Sequence, residues 1–153
     1  MRLSSAPTLS LLKENHLMPA NNYPKGKLIL RTLAMPADTN PDGDIFGGWI
    51  MSQMDIAGGI MAREYTCSRV VTVAIESITF FKPVHVGDVV CCYGDVLKIG
   101  TTSITINLEV WVKPALTRPV VEEVKFQVTK AAFTYVALGR DGKKQVINRD
   151  CRC

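Results

Sequence analysis

The sequence predicts an α+β domain: a curved antiparallel sheet of about five to six strands wrapped around one long central helix. Three observations carry that prediction. One long helical stretch has almost no polar face, the segments after it are β-rich and closely connected, and one of them alternates apolar and polar residues over ten positions. A lone apolar helix followed by a meandering sheet buries itself most economically when the sheet curls around it.

In chain order, residues 1–26 form a loose N-terminal extension, polar and interrupted by Pro7, Pro19 and Pro24. Residues 28–33 read as a strand, stopped by Met35-Pro36, because proline cannot donate to a ladder. A polar loop follows over 37–44. The helix spans 46–64, with Phe46, Ile50, Met54, Ala57 and Met61 at helical spacing. Between Gly47 and Ala62 its only polar side chains are Ser52, Gln53 and Asp55, so most of its circumference must be covered. Gly47, Gly48, Gly58 and Gly59 weaken the helix, and together with the small Ala57 they make sense if something approaches its backbone closely.

Residues 69–81 form the next strand. Its apolar phase runs Val71, Val73, Ile75 and then slips to Ile78 and Phe80, which predicts a bulge near Glu76-Ser77. Residues 89–99 and 101–113 are strands around a turn at Gly100. In the second of these, Ile104, Ile106, Leu108, Val110 and Val112 alternate with Ser103, Thr105, Asn107, Glu109 and Trp111. The last long strand covers 124–138, and the segment 141–153 is a polar tail. The domain proper is thus 27–140. One helix cannot cover so long a sheet, so a second copy is expected at an edge or on a face.

Bulk properties narrow the function. With 47% hydrophobic and 21% charged residues the chain is globular rather than disordered, and no stretch is apolar enough to span a bilayer. A net charge of +4 without a dense basic run points away from nucleic acid, while suiting a polyanionic small molecule. The N-terminus lacks an apolar signal core, and Cys67, Cys91, Cys92, Cys151 and Cys153 form no framework, so a reducing cytoplasm is expected. Cys91 and Cys92 are adjacent on a strand and should face opposite ways.

Few residues can carry chemistry. Asp38-x-Asn40-x-Asp42-Gly43 opens like an EF-hand loop, but the twelfth position is Trp49 and the preceding segment is strand-like, so no metal is expected. Asp44 is either the helix N-cap or a group facing the anion-friendly helix end. Asp55 is the more telling carboxylate: on an oily helix it must be neutralised, paired, or turned into a cleft. Gly47-Gly48 leaves backbone N–H groups able to reach a ligand oxygen, or simply packs closely against a strand. Glu76 reads as a partner for a basic residue, and His16 and His85 make no site.

The segment from Leu33 through Asn40-Pro41-Asp42-Gly43-Asp44-Ile45-Phe46-Gly47-Gly48-Trp49 to Asp55 resembles the bacterial YciA-type acyl-CoA thioesterases. The resemblance continues through Arg69-Val70-Val71-Thr72-Val73, Phe81-Lys82-Pro83, Val86-Gly87-Asp88 and Trp111-Val112-Lys113, covering roughly residues 27 to 140. It implies a hotdog fold, paired across a continuous sheet and assembled as a trimer of dimers. It further implies hydrolysis of acyl-CoA to free acid and CoA, with no cofactor beyond the coenzyme A of the substrate. Related enzymes carry an acid eight positions after the first glycine of the pair, here Asp55, and polarise the carbonyl with that glycine's N–H, here Gly47. Asp44 falls where relatives carry Asn or Asp, often reaching across the dimer to orient water or thioester. The histidine that often precedes the glycines is Phe46 here, so its role does not transfer.

Asn40 and Gly48 are expected to contact substrate, and Lys82, Lys98, Thr101 and Ser103 to hold the CoA phosphates. A non-catalytic acyl-CoA sensor would bind without hydrolysis. A hotdog hydratase or dehydratase would need a histidine beside its acid.

Overall fold

The computed structural model describes residues 23–115 and 125–151. Residues 1–22, with His16 and nearly all of the expected extension, lie outside them, as does Cys153. The chain forms β1 (Lys27–Leu33), α1 (Gly47–Thr66), β2 (Arg69–Phe80), β3 (Val89–Ile99), β4 (Ser103–Lys113) and β5 (Phe126–Leu138). The strands make one antiparallel sheet in the order β1-β3-β4-β5-β2. α1 packs against all five strands. The one-helix, curled-sheet reading therefore holds, with five strands.

The alternation in β4 sorts the two faces. Ile104, Ile106, Leu108, Val110 and Val112 enter the core beneath α1, joined by Phe133 and Tyr135 of β5. Burying each large side chain is worth about 1.5–3 kcal/mol. On the outer face Trp111 packs with Cys91 and Tyr93. Its indole N–H donates to Glu109 Oε2 at 2.9 Å, and the Lys25 backbone N–H donates to the same oxygen at 3.2 Å, which satisfies this buried carboxylate. Cys92 lies in the main core and Cys91 on the outer face, as adjacent strand residues must. In β2 the register with β5 shifts between Glu76 and Thr79, and Ser77 adopts φ +57°. That bulge is the phase slip read in the sequence. Glu76 is exposed and enters none of the described ion pairs.

α1 starts one residue later than expected and runs two further, closing on Cys67 in the left-handed region with φ 48°. Its covered side consists of Ile50, Met54, Ala57, Gly58, Met61 and Ala62. Its other side is bare: Ile56 is 51% and Ile60 41% exposed. Close approach explains two of its glycines. A Cβ on Gly58 would stand 2.1 Å from the Tyr135 hydroxyl, and one on Gly47 would stand 3.3 Å from the Phe80 ring. Gly48 and Gly59 meet nothing within 4 Å, so close packing does not account for them within one protomer.

After β5 the chain doubles back. Lys144 bridges to Leu138, Ile147 is buried and its N–H donates to Thr101 O at 2.8 Å, and Arg149 Nη2 donates to Ile99 O at 3.0 Å. This return brings Cys151 to the end of α1, where it forms a disulfide with Cys67 across 6.2 Å between Cα atoms. The sequence held no disulfide framework because the two cysteines are 84 residues apart and only the fold joins them. Cys91 and Cys92 remain thiols.

Candidate active site

The loop before α1 is organised by its own side chains. Asn40 Oδ1 accepts from the N–H groups of Asp42 and Asp44, both at 3.0 Å, and Gly43 takes φ +89° to complete the turn. The arrangement that resembled a calcium loop is thus an Asx turn. Asn40 shapes the backbone, its side-chain oxygen already committed. Asp44 does not cap α1: the N-cap is Phe46, with no side-chain cap hydrogen bond. Instead Asp44 Oδ1 lies 3.5 Å from His85 Nε2, and Asp88 Oδ2 lies 3.9 Å from His85 Nδ1. His85 therefore sits between two carboxylates, a neighbourhood that its place in the sequence does not signal. The contact arises because Ile45 N–H pairs with Val84 O and draws the two loops together.

At the start of the helix, Trp49 and Ile50 both donate to Phe46 O. The N–H groups of Gly47 and Gly48 precede them and have no intrahelical acceptor. Gly47 borders a cavity of about 300 Å³ lined also by Ile45, Ile50, Phe80, Lys82 and Val128. Lys82 stands at its rim with Nζ 4.9 Å from the Phe126 ring centroid. An apolar cavity with free helix N–H groups at one wall suits an acyl thioester whose carbonyl oxygen becomes negative in the transition state.

Asp55 lies eight residues on, about 12 Å along the helix axis. It does not line the Gly47 cavity. Its side chain is half-buried. Thr72 Oγ1 donates to Asp55 Oδ1 at 2.5 Å, and the Tyr135 hydroxyl donates to the same oxygen at 3.1 Å. The described ion pairs do not include Asp55. Thr72 and Tyr135 are register partners on β2 and β5, so the sheet delivers both hydroxyls to one point on α1. Neither was singled out from the sequence. Thr72 had only the signal of a hydroxyl within an apolar run, and Tyr135 that of a core aromatic with a polar tip. Ser52, three residues before Asp55, donates instead to Trp49 O at 2.9 Å.

The remaining candidates separate. Ser103 pairs with Val136, whereas Val128 borders the cavity. Those positions are eight residues apart on β5, about 27 Å. Lys98, Thr101 and Ser103 therefore occupy the end of the sheet opposite Lys82, and within one protomer they do not join it.

Residues 42–117 match the model of the thioesterase superfamily. Over 123 residues the chain is 59% identical to the acyl-CoA thioester hydrolase YciA of Salmonella typhimurium, covering 80% of this chain and 91% of that protein. Among solved structures it is similar to HI0827, a hexameric broad specificity acyl-coenzyme A thioesterase, at 56% identity and TM-score 0.77, covering 84% of this chain and 85% of that one. A hexameric hotdog fold thioesterase of Campylobacter jejuni aligns at 44% identity and TM-score 0.76, covering 82% and 92%. The architecture described above is the hotdog fold.

Proposed function

This chain belongs to the YciA-type acyl-CoA thioester hydrolases of the thioesterase superfamily, and we infer that it hydrolyses acyl-CoA thioesters to a carboxylic acid and CoA through Asp55. The observation that carries this reading is a half-buried carboxylate on an otherwise apolar helix, held by two hydroxyls and by no described cation.

Asp55 takes a proton from water, whose oxygen attacks the thioester carbonyl carbon. The carbonyl oxygen gathers charge against the Gly47 N–H, with Gly48 leaving room for the substrate beside it. The tetrahedral intermediate then expels the CoA sulfur, which recovers the proton from Asp55. Asp44, tied to His85, orients the approach from the loop beside the cavity, and Asn40 fixes that loop.

Within one protomer Gly47 borders the cavity and Asp55 does not. We therefore assign the Gly47 N–H of one copy to act with Asp55 of another. An unpaired β2 edge supports this, as do the exposed Val71, Val73 and Ile75 on it and the bare Ile56 and Ile60 on α1. The assembly is a homo-oligomer, a dimer at minimum and a trimer of dimers in full, like its hexameric relatives. Lys82 serves the CoA phosphates from the cavity rim. Lys98, Thr101 and Ser103 can do so only from a different copy.

The catalytic domain is 27–140. Residues 141–151 serve as its brace, through Ile147 and Cys151. A cytoplasmic location is part of the reading, supported by the free Cys91 and Cys92; the Cys67–Cys151 bond is what it must accommodate. Among the described residues no helix is long and apolar enough to cross a membrane.

Thiol release from a series of acyl-CoAs tests the function. Asp55→Asn should lower kcat by about 10²–10⁴ with the fold intact by circular dichroism. Near-normal turnover in that variant would refute the role of Asp55. Tight acyl-CoA binding by the unaltered protein with no thiol released would make it a sensor instead.

A further inference from the structure

We propose that Tyr135 is a positioning residue for the hydrolysis, its hydroxyl fixing which oxygen of Asp55 faces the reaction. The proposal rests on the reading of Asp55 given above and adds a residue to it. Tyr135 is 1% exposed, deep in the core between α1 and the sheet. A hydroxyl buried that far must find a partner, and here it has two acceptors on one residue: the Asp55 backbone carbonyl and Oδ1, each at 3.1 Å.

Because the same hydroxyl grips main chain and side chain, it fixes χ1 of Asp55 relative to the helix axis. Thr72 donates to the same Oδ1 from the neighbouring strand. Among the described residues all hydrogen bonds to this carboxylate converge on Oδ1, which leaves Oδ2 to take the proton from water.

The helix is notched for this contact. A Cβ at residue 58 would meet the hydroxyl at 2.1 Å and Leu108 Cδ1 at 2.8 Å, so only glycine lets Tyr135 reach Asp55. Phe133 braces the ring from its own strand, with centroids 6.3 Å apart and planes 18° from parallel. Burial first, and the neighbouring Asp55 charge second, hold the Tyr135 hydroxyl well above its usual pKa of 10.0. It stays protonated and remains a donor across the working pH range.

The test compares kinetics of Tyr135→Phe with those of Asp55→Asn. Losing a charge-assisted hydrogen bond should lower kcat about tenfold, with KM within about twofold, and move the acid limb of the kcat profile to higher pH. Gly58→Ala keeps the hydroxyl but displaces it, and should change kcat and the pH profile in the same direction. If Gly58→Ala does not fold, Tyr135→Phe decides alone. If Tyr135→Phe loses thermal stability while kcat and the pH profile stay put, the residue is merely structural and the proposal is overturned. An inert Asp55→Asn beside such a result would leave the role of Asp55 standing, whereas an active Asp55→Asn would sink both.

Discussion

The two sides of α1 differ in what they touch. One buries Ile50, Met54, Ala57 and Met61 in the sheet, with a glycine cut away for a tyrosine. The other leaves Ile56 and Ile60 about half exposed and has open space over Gly59. At about 100° per residue, Asp55 sits some 60° from Gly58 and 100° from Ile56. The acid thus lies on the seam between the side that the fold covers and the side that it leaves open. One half of its environment is set by folding; the other half is left open within the protomer.

The largest expected effect breaks the open side. Val73→Lys on the β2 edge, or Ile56→Lys on α1, should dissociate the oligomer in light scattering and abolish most thioester hydrolysis, because Gly47 and Asp55 would no longer meet. Mixing sharpens the point. Oligomers rebuilt from Asp55→Asn and Gly47→Val chains should recover about a quarter of normal activity if the groups act across a two-fold interface. Recovery of none would place both groups in one protomer.

On the covered side, Gly58→Ala should cost about 1–3 kcal/mol in chemical denaturation, because the new Cβ collides with Tyr135 and Leu108. The covered side also predicts alkaline weakness. Burial, aided by Cys91, pushes the Cys92 thiol from 9.0 up to about 12. Below pH 9 the thiol is protonated whether folded or not, and pH has no effect through it. Above pH 9 the unfolded chain releases the proton and the folded chain retains it, so stability should fall by up to about 1.4 kcal/mol per pH unit until about pH 12. Flat denaturation midpoints from pH 9 to 11 would contradict this. The smallest effect is Gly59→Ala, which should stabilise by up to about 1 kcal/mol through helix propensity. A loss of stability there would mean that a second copy presses on that stretch of backbone.

Periodicity made the fold legible. The β4 alternation, the slip in β2 and the apolar helix each report one residue's neighbours along the chain, and each has its counterpart in the structure. Asp55 stood out as a candidate in the sequence because a carboxylate on an oily helix conflicts with its surroundings. Its partners were not, since Thr72 and Tyr135 are ordinary strand residues until register sets them opposite one another. The pairing of His85 with Asp44 was hidden likewise, because two loops joined by one backbone hydrogen bond leave no spacing to read. The glycines were read correctly as places of close approach at Gly47 and Gly58. At Gly48 and Gly59 the sequence could not say which molecule would approach.

The bond between Cys67 and Cys151 makes a covalent ring of the chain. Four of the five strands lie within that ring, and β1 and α1 hang from it as a single arm. In the oxidised protein the ring keeps much of its confinement after melting, a restraint worth about 4–5 kcal/mol for a loop of this length on chain-entropy grounds. The arm has no such restraint. Tension applied to the C-terminus would also pass through that bond to the last turn of α1 without first peeling β5 from the sheet.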